Sequence, residues 1–123
     1  MKYVILIFHN PASQEIWESF TPEQQAQGYG LYAALNEELV NSGEMIVSEA
    51  LADPAMAKRV TARDGQTMSS DGPFAEVKEH LAGFYLVECD SIERAVAYAA
   101  RIPEAAHMEI EVRPVLDRIS VDM

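Results

Sequence analysis

Cysteine is almost absent from this sequence. Cys89 is the only cysteine in 123 residues, so the chain cannot form an internal disulfide, and a zinc site built on cysteine thiolates is excluded. This usage is typical of a reducing compartment, and we expect a cytoplasmic protein. Glu88 and Asp90 flank Cys89, and neighbouring carboxylates raise the pKa of a thiol, so we do not expect a reactive nucleophile there.

Basic residues and long apolar runs are also scarce. Nine Lys and Arg residues stand against twenty Asp and Glu residues, which leaves a formal net charge of −11. A negative field of this size repels nucleic-acid phosphates and anionic membrane surfaces, so we expect neither partner. No apolar run approaches the ~18 residues of a membrane span. The short apolar run after Lys2 lacks the small-residue cleavage site of a signal peptide, and we interpret it as a buried strand.

The motifs that bind cofactors and metals are missing too. The chain contains no phosphate-binding glycine loop, no nucleophile elbow and no metal-binding triad. Glu76 and His80, four residues apart, supply only two of the ligands that a metal needs. We therefore expect no cofactor and no metal.

The hydrophobic pattern predicts a single domain over residues 1–123 with an α+β, ferredoxin-like (split βαβ) fold. Predicted strands cover 2–8, 45–51, 82–88 and 107–113, with a hairpin at 58–63 and 66–70 turning at Asp64-Gly65. One helix begins at Thr21-Pro22 and ends at Gly43, and a second follows Asp90 or Ser91. We expect residues 10–20 to form a loop. The order β-α-β, hairpin, β-α-β predicts an antiparallel sheet with two helices on one face.

The other face of this sheet predicts a partner. Met108, Ile110 and Val112 alternate with His107, Glu109, Glu111 and Arg113, so that the apolar set faces the helices and the charged set faces away. The first strand is apolar on both faces, which leaves apolar residues beside the charged ones. A second copy packed sheet-to-sheet would bury the apolar residues and enclose the charges in a shared cavity. We therefore expect a homodimer.

One charged segment, Asp71 to Glu79, is the first place to look for a site. Asp71-Gly72-Pro73 predicts a turn, with Gly72 free to adopt positive φ, and Phe74 is an apolar anchor beside it. Glu76 and Glu79 are three residues apart and share a helical face if the segment is helical. Two carboxylates near Lys78 could divide into an acid and a base. The alternative is a capped turn whose charges are solvated.

Four stretches resemble one known family. They are Asp71 to Glu79 (Asp-Gly-Pro-Phe-Ala-Glu-Val-Lys-Glu), then Gly83-Phe84-Tyr85 with Ala99-Ala100-Arg101-Ile102-Pro103, and Glu111-Val112-Arg113-Pro114-Val115. Together they resemble the DGPF-type branch of the YCII-related family, over essentially the whole chain. The resemblance implies a dimeric α+β ferredoxin-like fold and a family in which most members have no assigned reaction. Some relatives look like small lyases or dehydrochlorinases of aromatic degradation. Gene neighbourhoods in the branch suggest a link to extracytoplasmic-function sigma factors. The narrower YCII-type group places a histidine on its first helix, where this chain has Gln24, Gln25 and Gln27.

Histidines and aromatic residues outside the segment complete the set of candidates. His107 is predicted to open the last strand on the cavity face, where an imidazole is a natural proton carrier. Arg113 on the same face can pair with Glu111, with Asp71 or with an anionic ligand. His9 ends the first strand, where it is either structural or part of a site. Trp17, Phe20, Tyr29 and Tyr32 pack in the core or cover a ligand.

These residues predict a small cofactor-independent enzyme of lyase or isomerase type that acts on a small anionic or aromatic metabolite. Asp71 and His107 would move protons, and Glu76 and Glu79 would tune their electrostatics. Lys78 or Arg113 would hold an anionic or enolic oxygen, with Phe74 against the ligand. The alternative is a non-catalytic module that uses the same cluster to bind a small molecule or a regulatory partner.

Overall fold

A computed structural model describes residues 1–74 and 78–117, which form six strands and three α-helices. The strands are β1 (Lys2–His9), β2 (Met45–Ala50), β3 (Lys58–Arg63), β4 (Gln66–Asp71), β5 (His80–Glu88) and β6 (Glu111–Pro114). The helices are α1 (Pro11–Ser19), α2 (Pro22–Ser42) and α3 (Ile92–Ala99). Two short 3-10 turns, Pro54–Met56 and Pro103–Ala106, lie in the connections.

The main sheet has the topology that the sequence predicts. Its strand order is β2-β5-β1-β6, and each strand is antiparallel to its neighbours. This arrangement confirms the α+β, ferredoxin-like fold. The β3–β4 hairpin forms a separate two-stranded sheet. It turns at Asp64 and Gly65, whose positive φ angles of 51° and 79° match a tight hairpin turn.

The segment between β1 and α2 is a helix, so the prediction of a loop at 10–20 is wrong. Asn10 accepts a hydrogen bond from the Ser13 amide while the Ser13 hydroxyl accepts one from the Asn10 amide, and Pro11 occupies the first turn. This reciprocal cap starts a helix of nine residues, none of which is buried. The sheet is therefore accompanied by three helices rather than the expected two.

Helix α2 begins and ends where the sequence predicts. The Thr21 side chain accepts from the Gln24 amide, and the chain leaves the helix at Gly43 with φ of 76°. Gly28 lies within this helix, which begins at Pro22. It marks close packing, since a Cβ there would lie 3.3 Å from the Trp17 ring.

The core lies between the sheet and helices α2 and α3. On β1 the buried residues are Tyr3, Ile5 and Ile7, which pack with side chains of β5, α2 and α3. Ile110 and Val112 pack against the same cluster, so the apolar alternation at the end of the chain faces the helices as predicted. The opposite face of the sheet, called the open sheet face below, carries side chains that are only partly buried: Val4, Leu6, Phe84 and Leu86.

The last strand is shorter than the sequence predicts. It spans Glu111–Pro114, whereas His107 follows the 3-10 turn Pro103–Ala106 and closes it with a hydrogen bond to the Glu104 carbonyl. The prediction that His107 opens the strand on the open sheet face is therefore wrong. The ring of Pro103 fixes its φ at a value that suits this turn, so the chain is not extended there. None of the helices in the described part of the chain has the length and apolarity of a membrane span.

Candidate functional site

A cavity of about 370 Å³ lies between the end of β1, helices α1 and α2, and the 3-10 turn Pro103–Ala106. Polar side chains on its wall include His9, Ser13, Gln14, Tyr32, Glu104 and His107. The remaining surface is largely apolar and aromatic, with Ile16, Trp17, Phe20, Tyr29 and Met108. Apolar walls with a few converging polar groups are typical of a small-molecule site.

Glu104 is the centre of the polar group. Its Oε2 lies 3.0 Å from His9 Nε2, and its Oε1 accepts a hydrogen bond of 2.5 Å from the Tyr32 hydroxyl. The three residues come from different elements: the end of β1, the middle of α2 and the 3-10 turn. The Glu104 side chain is 23% exposed and the His9 side chain 46%, so the pair lies at the cavity wall rather than in the core.

The hydrogen bonds keep Glu104 ionised. Burial raises the pKa of its carboxyl group, but the hydrogen bonds from His9 and Tyr32 outweigh burial, and the net pKa is lowered. Conversely, burial and the adjacent Glu104 raise the pKa of Tyr32, so Tyr32 stays protonated and donates. Burial, with a smaller effect of the Glu104 charge, raises the pKa of the neighbouring Tyr85 to about 12, and Tyr85 donates to Asn36 Oδ1 at 2.6 Å.

An ionised Glu104 determines which His9 nitrogen carries the hydrogen. A carboxylate only accepts hydrogen bonds, so the imidazole nitrogen that faces it, Nε2, must be the donor. In the neutral ring Nδ1 then keeps its lone pair, and it is the nitrogen that can take a proton from a ligand. A carboxylate behind an imidazole also stabilises the charged ring that forms after proton transfer.

The aromatic walls form one contact network. Trp17 packs edge-on against Phe20 and Tyr29, with ring centroids 6.0 Å and 5.4 Å apart, and Phe20 lies 5.6 Å from the His107 ring. Trp17, Phe20, Tyr29 and Tyr32, which the sequence left as either core or cover, therefore border a cavity, and none of them is fully buried.

The charged segment that the sequence singles out is largely exposed. Asp71 ends β4 and forms an ion pair with Lys58 across the hairpin. Gly72 has φ of 82°, as its place in the predicted turn requires, and its amide donates to the Ala57 carbonyl at 2.7 Å. The Phe74 ring is 60% exposed, with the Arg59 guanidinium 5.4 Å from its centroid.

The other members of the predicted site lie apart from this hairpin. Glu79 Oε1 lies 3.5 Å from the side-chain amide nitrogen of Asn10. Lys78 lines a second cavity of about 1010 Å³, which His9 also borders. Arg113 forms an ion pair with Glu111 on the open sheet face, one of the pairings that the sequence allowed. Glu76 lies outside the described residues. Of the predicted catalytic residues that the structure describes, only His107 lines the cavity with His9 and Glu104.

Cys89 follows strand β5 and belongs to the buried core. The Cys89 thiol is buried, and burial raises its pKa, which is the predicted direction although Glu44 rather than an adjacent carboxylate adds to it. No cluster of three His, Cys, Asp or Glu side chains with metal-binding proximity occurs in residues 1–74 and 78–117.

Comparison with known proteins identifies the family. Residues 1–119 match the YCII-related domain. The chain belongs to the YCII-related family. It is also similar to an uncharacterised protein of Rhizobium meliloti (strain 1021), with 29% identity over 116 residues, 93% of this chain and 91% of the relative. Neither match names a reaction, so the function of this YCII-related protein must be argued from its own site.

Sequence reasoning missed Glu104 and gave Tyr32 only as a core residue or a cover over a ligand. Glu104 has no pattern around it because it lies in an irregular connection. The available signal was weak: His9 at a strand end, where site residues often lie, and a cluster of aromatic residues soon after it. Glu104 joins His9 only through the tertiary fold.

Proposed function

We propose that this YCII-related protein catalyses a proton transfer of lyase or isomerase type, with His9 as the acid–base group. The observation that carries the proposal is the shared carboxylate: Glu104 is hydrogen-bonded to both His9 and Tyr32 at the wall of a mostly apolar cavity. A histidine held by a carboxylate is a recurrent arrangement for general acid–base chemistry.

The step requires no group beyond these residues and the ligand. His9 Nδ1 takes a proton from a carbon next to a carbonyl group, the C–H electron pair forms a carbon–carbon double bond, and the carbonyl π pair moves to the oxygen to give an enolate. The imidazolium then returns the proton to the same carbon or to another position. The Glu104 charge stabilises the imidazolium, and Gln14, which also lines the cavity, offers an amide donor for the enolate oxygen.

The other predicted site residues keep a secondary place in this proposal. His107 lines the cavity, with its ring 5.6 Å from Phe20, and would be a second proton carrier there. The roles predicted for Asp71, Phe74, Glu76, Lys78, Glu79 and Arg113 stay predictions. A sheet-to-sheet homodimer would add a partner surface above Arg113.

Deuterium exchange tests the proposal without knowledge of the natural substrate. The protein is incubated in D₂O with a panel of small cyclic and aryl ketones, and deuterium uptake at the carbon beside the carbonyl is measured by mass spectrometry. We expect uptake above the buffer rate for some ketones and its loss in His9→Gln. His80→Gln is the matched control, because His80 pairs with His9 on the adjacent strand but does not line the smaller cavity.

Non-catalytic ligand binding is the second candidate, and the largely apolar lining of the cavity favours it. Under this alternative, ketones bind with saturation but exchange no faster than in buffer, and His9→Gln leaves their affinity nearly unchanged. Equal exchange by wild-type protein and His9→Gln would contradict the catalytic proposal.

A further inference from the structure

We infer that the ligand of this cavity is an uncharged, ring-bearing molecule rather than an anion. The inference deepens the proposed function and rests on it, because it concerns the same cavity. It also departs from the sequence-based expectation of an anionic metabolite held by Lys78 or Arg113. Those two cations lie elsewhere: Lys78 borders the second cavity, and Arg113 pairs with Glu111 on the open sheet face.

The cavity offers no permanent positive charge to an anion. None of the described side chains that line it is Lys or Arg, and its one permanently charged group is the ionised Glu104. Moving a carboxylate or phosphate from water into an apolar cavity is costly unless a cation or several donors replace the water. Glu104 adds repulsion at short range, and the net charge of −11 adds a weaker repulsion.

Cations gain little here either. Both Glu104 oxygens already accept hydrogen bonds, one from His9 and one from Tyr32. Trp17 and Tyr29 are in edge-to-face contact at an interplanar angle of 80°, so one ring face of the pair is covered. A cation would lose its hydration and would share the Glu104 carboxylate with two donors already bound to it. An uncharged ring can pack on the aromatic walls and offer one polar group to His9.

A charge series on one ring system tests the inference. Naphthalene-2-methanol, 2-naphthoate and naphthalen-2-ylmethylammonium share a bicyclic frame and differ in charge. Isothermal titration calorimetry at neutral pH measures their affinities, and the single indole N–H resonance of Trp17 reports whether binding occurs in the cavity. We expect the alcohol to bind at least about tenfold more tightly than either ion, a difference of 1.4 kcal/mol.

Glu104→Gln tests whether the charge of Glu104 causes the preference for the alcohol over the naphthoate. Glutamine has nearly the same shape and can still accept from His9 and bond to Tyr32, but it removes the charge. We expect the preference for the alcohol over the naphthoate to fall several-fold in Glu104→Gln and to stay unchanged in Glu18→Gln, an exposed glutamate of α1 that does not line the cavity. An unchanged preference in Glu104→Gln would overturn the argument from charge.

The outcomes separate this inference from the function on which it rests. If the naphthoate or the ammonium compound binds most tightly and shifts the Trp17 resonance, the cavity is a binding site but the inference about charge is wrong. If none of the three compounds shifts that resonance at millimolar concentration, the cavity is not a ring-binding site and both fail. If the alcohol binds as expected while no ketone exchanges deuterium, the charge inference stands and the catalytic proposal fails.

Discussion

Tyr32 and Glu104, 72 residues apart in the sequence, are joined by a hydrogen bond of 2.5 Å. The bond connects the middle of helix α2 to the 3-10 turn Pro103–Ala106, which comes much later in the sequence. Because Glu104 also contacts His9, the helix holds the carboxylate in place behind the imidazole. An imidazole positioned through a second residue is expected to depend on that residue for both orientation and charge.

Removal of this hydroxyl should therefore change the titration of Glu104. In Tyr32→Phe the carboxylate loses one donor while burial still opposes its charge, so we expect the pKa of Glu104 to rise. Titration of the glutamate carboxyl carbons by NMR measures the change. We also expect a loss of about 1.5–3 kcal/mol in the free energy of unfolding at neutral pH, as for other hydrogen bonds to charged groups.

Tyr29→Phe is the matched control for this experiment. Tyr29 lies one turn earlier on α2 and lines the same cavity, but its side chain is largely exposed and its ring packs on Trp17. We expect no change in the Glu104 titration. Equal shifts in both variants would show that the hydroxyl of Tyr32 does not control the carboxylate.

Most of the fold could be predicted because its signals are local. The Asp64-Gly65 turn, the Thr21 cap and the Gly43 stop each act within a few residues, and each falls where the structure has it. Helix α1 was missed although Asn10-Pro11 is as local a signal as Thr21-Pro22, because the helix has only nine residues and buries none of them. The position of His107 was predicted wrongly because the alternation of apolar and charged residues gives no sign of the 3-10 turn that begins at Pro103.

The candidate site was less predictable because it is a tertiary assembly. The Asp71 to Glu79 segment attracted attention as a dense local motif, yet Asp71 pairs with Lys58 and Phe74 is exposed. Glu104 has no local pattern, and its importance comes from two partners that lie 72 and 95 residues away. Such contacts are visible only when β1, α2 and the turn are brought together.

A pair of glycine substitutions on α2 tests the packing around Trp17. Gly28 and Gly30 both lie within the helix, where alanine is favoured by about 1 kcal/mol. A Cβ at position 30 would meet nothing within 4 Å, whereas a Cβ at position 28 would lie 3.3 Å from Trp17. We expect Gly30→Ala to raise the melting temperature and Gly28→Ala to raise it less or lower it.

Trp17 fluorescence supplies a second measurement for the same pair. Trp17 is the only tryptophan, so its emission reports on the cavity wall alone. We expect an altered emission maximum in Gly28→Ala and the wild-type spectrum in Gly30→Ala. Identical behaviour of the two variants in both stability and emission would contradict close packing of Gly28 on the indole ring.

The Glu44–Arg94 ion pair predicts a pH dependence of stability. Arg94 Nε and Nη2 each donate to Glu44 at 2.6 Å, and these bonds lower the pKa of Glu44 from 4.5 to about 2, against the opposing effect of burial. A pKa below the unfolded value means that the stabilisation is present above pH 4.5 and is lost as the pH falls from 4.5 towards 2. We expect Glu44→Gln to lower the melting temperature at pH 7 and to have little effect near pH 2.

Thermal scans across this range need a control glutamate. Glu37→Gln removes an exposed carboxylate from the same region of the chain, on α2, and we expect nearly the wild-type melting temperature at each pH. The difference between Glu44→Gln and wild type should shrink steadily as the pH is lowered. A difference that stays constant from pH 7 to pH 2 would mean that Glu44 acts through packing rather than through its charge.

The open face of the sheet predicts where two copies meet. Leu6 and Leu86 lie on this face and are only partly buried in one chain, beside the Glu111–Arg113 ion pair. Burial of this surface against a second sheet would remove apolar area from water and enclose the ion pair. We expect a dimer in sedimentation equilibrium at micromolar concentration, and we expect Leu86→Lys to shift it to the 13.6 kDa monomer.

Val96→Lys separates this interface from one made by helices. Val96 is a 49% exposed apolar residue of α3, on the opposite side of the sheet from Leu86. Lysine at position 96 should leave a sheet-to-sheet dimer intact, since the side chain stays in solvent. A helix-mediated dimer would show the reverse pattern, with Val96→Lys monomeric and Leu86→Lys dimeric. Circular dichroism of each variant at the same concentration checks that the subunit is folded, so that a monomer produced by Leu86→Lys reports the loss of the interface and not of the domain.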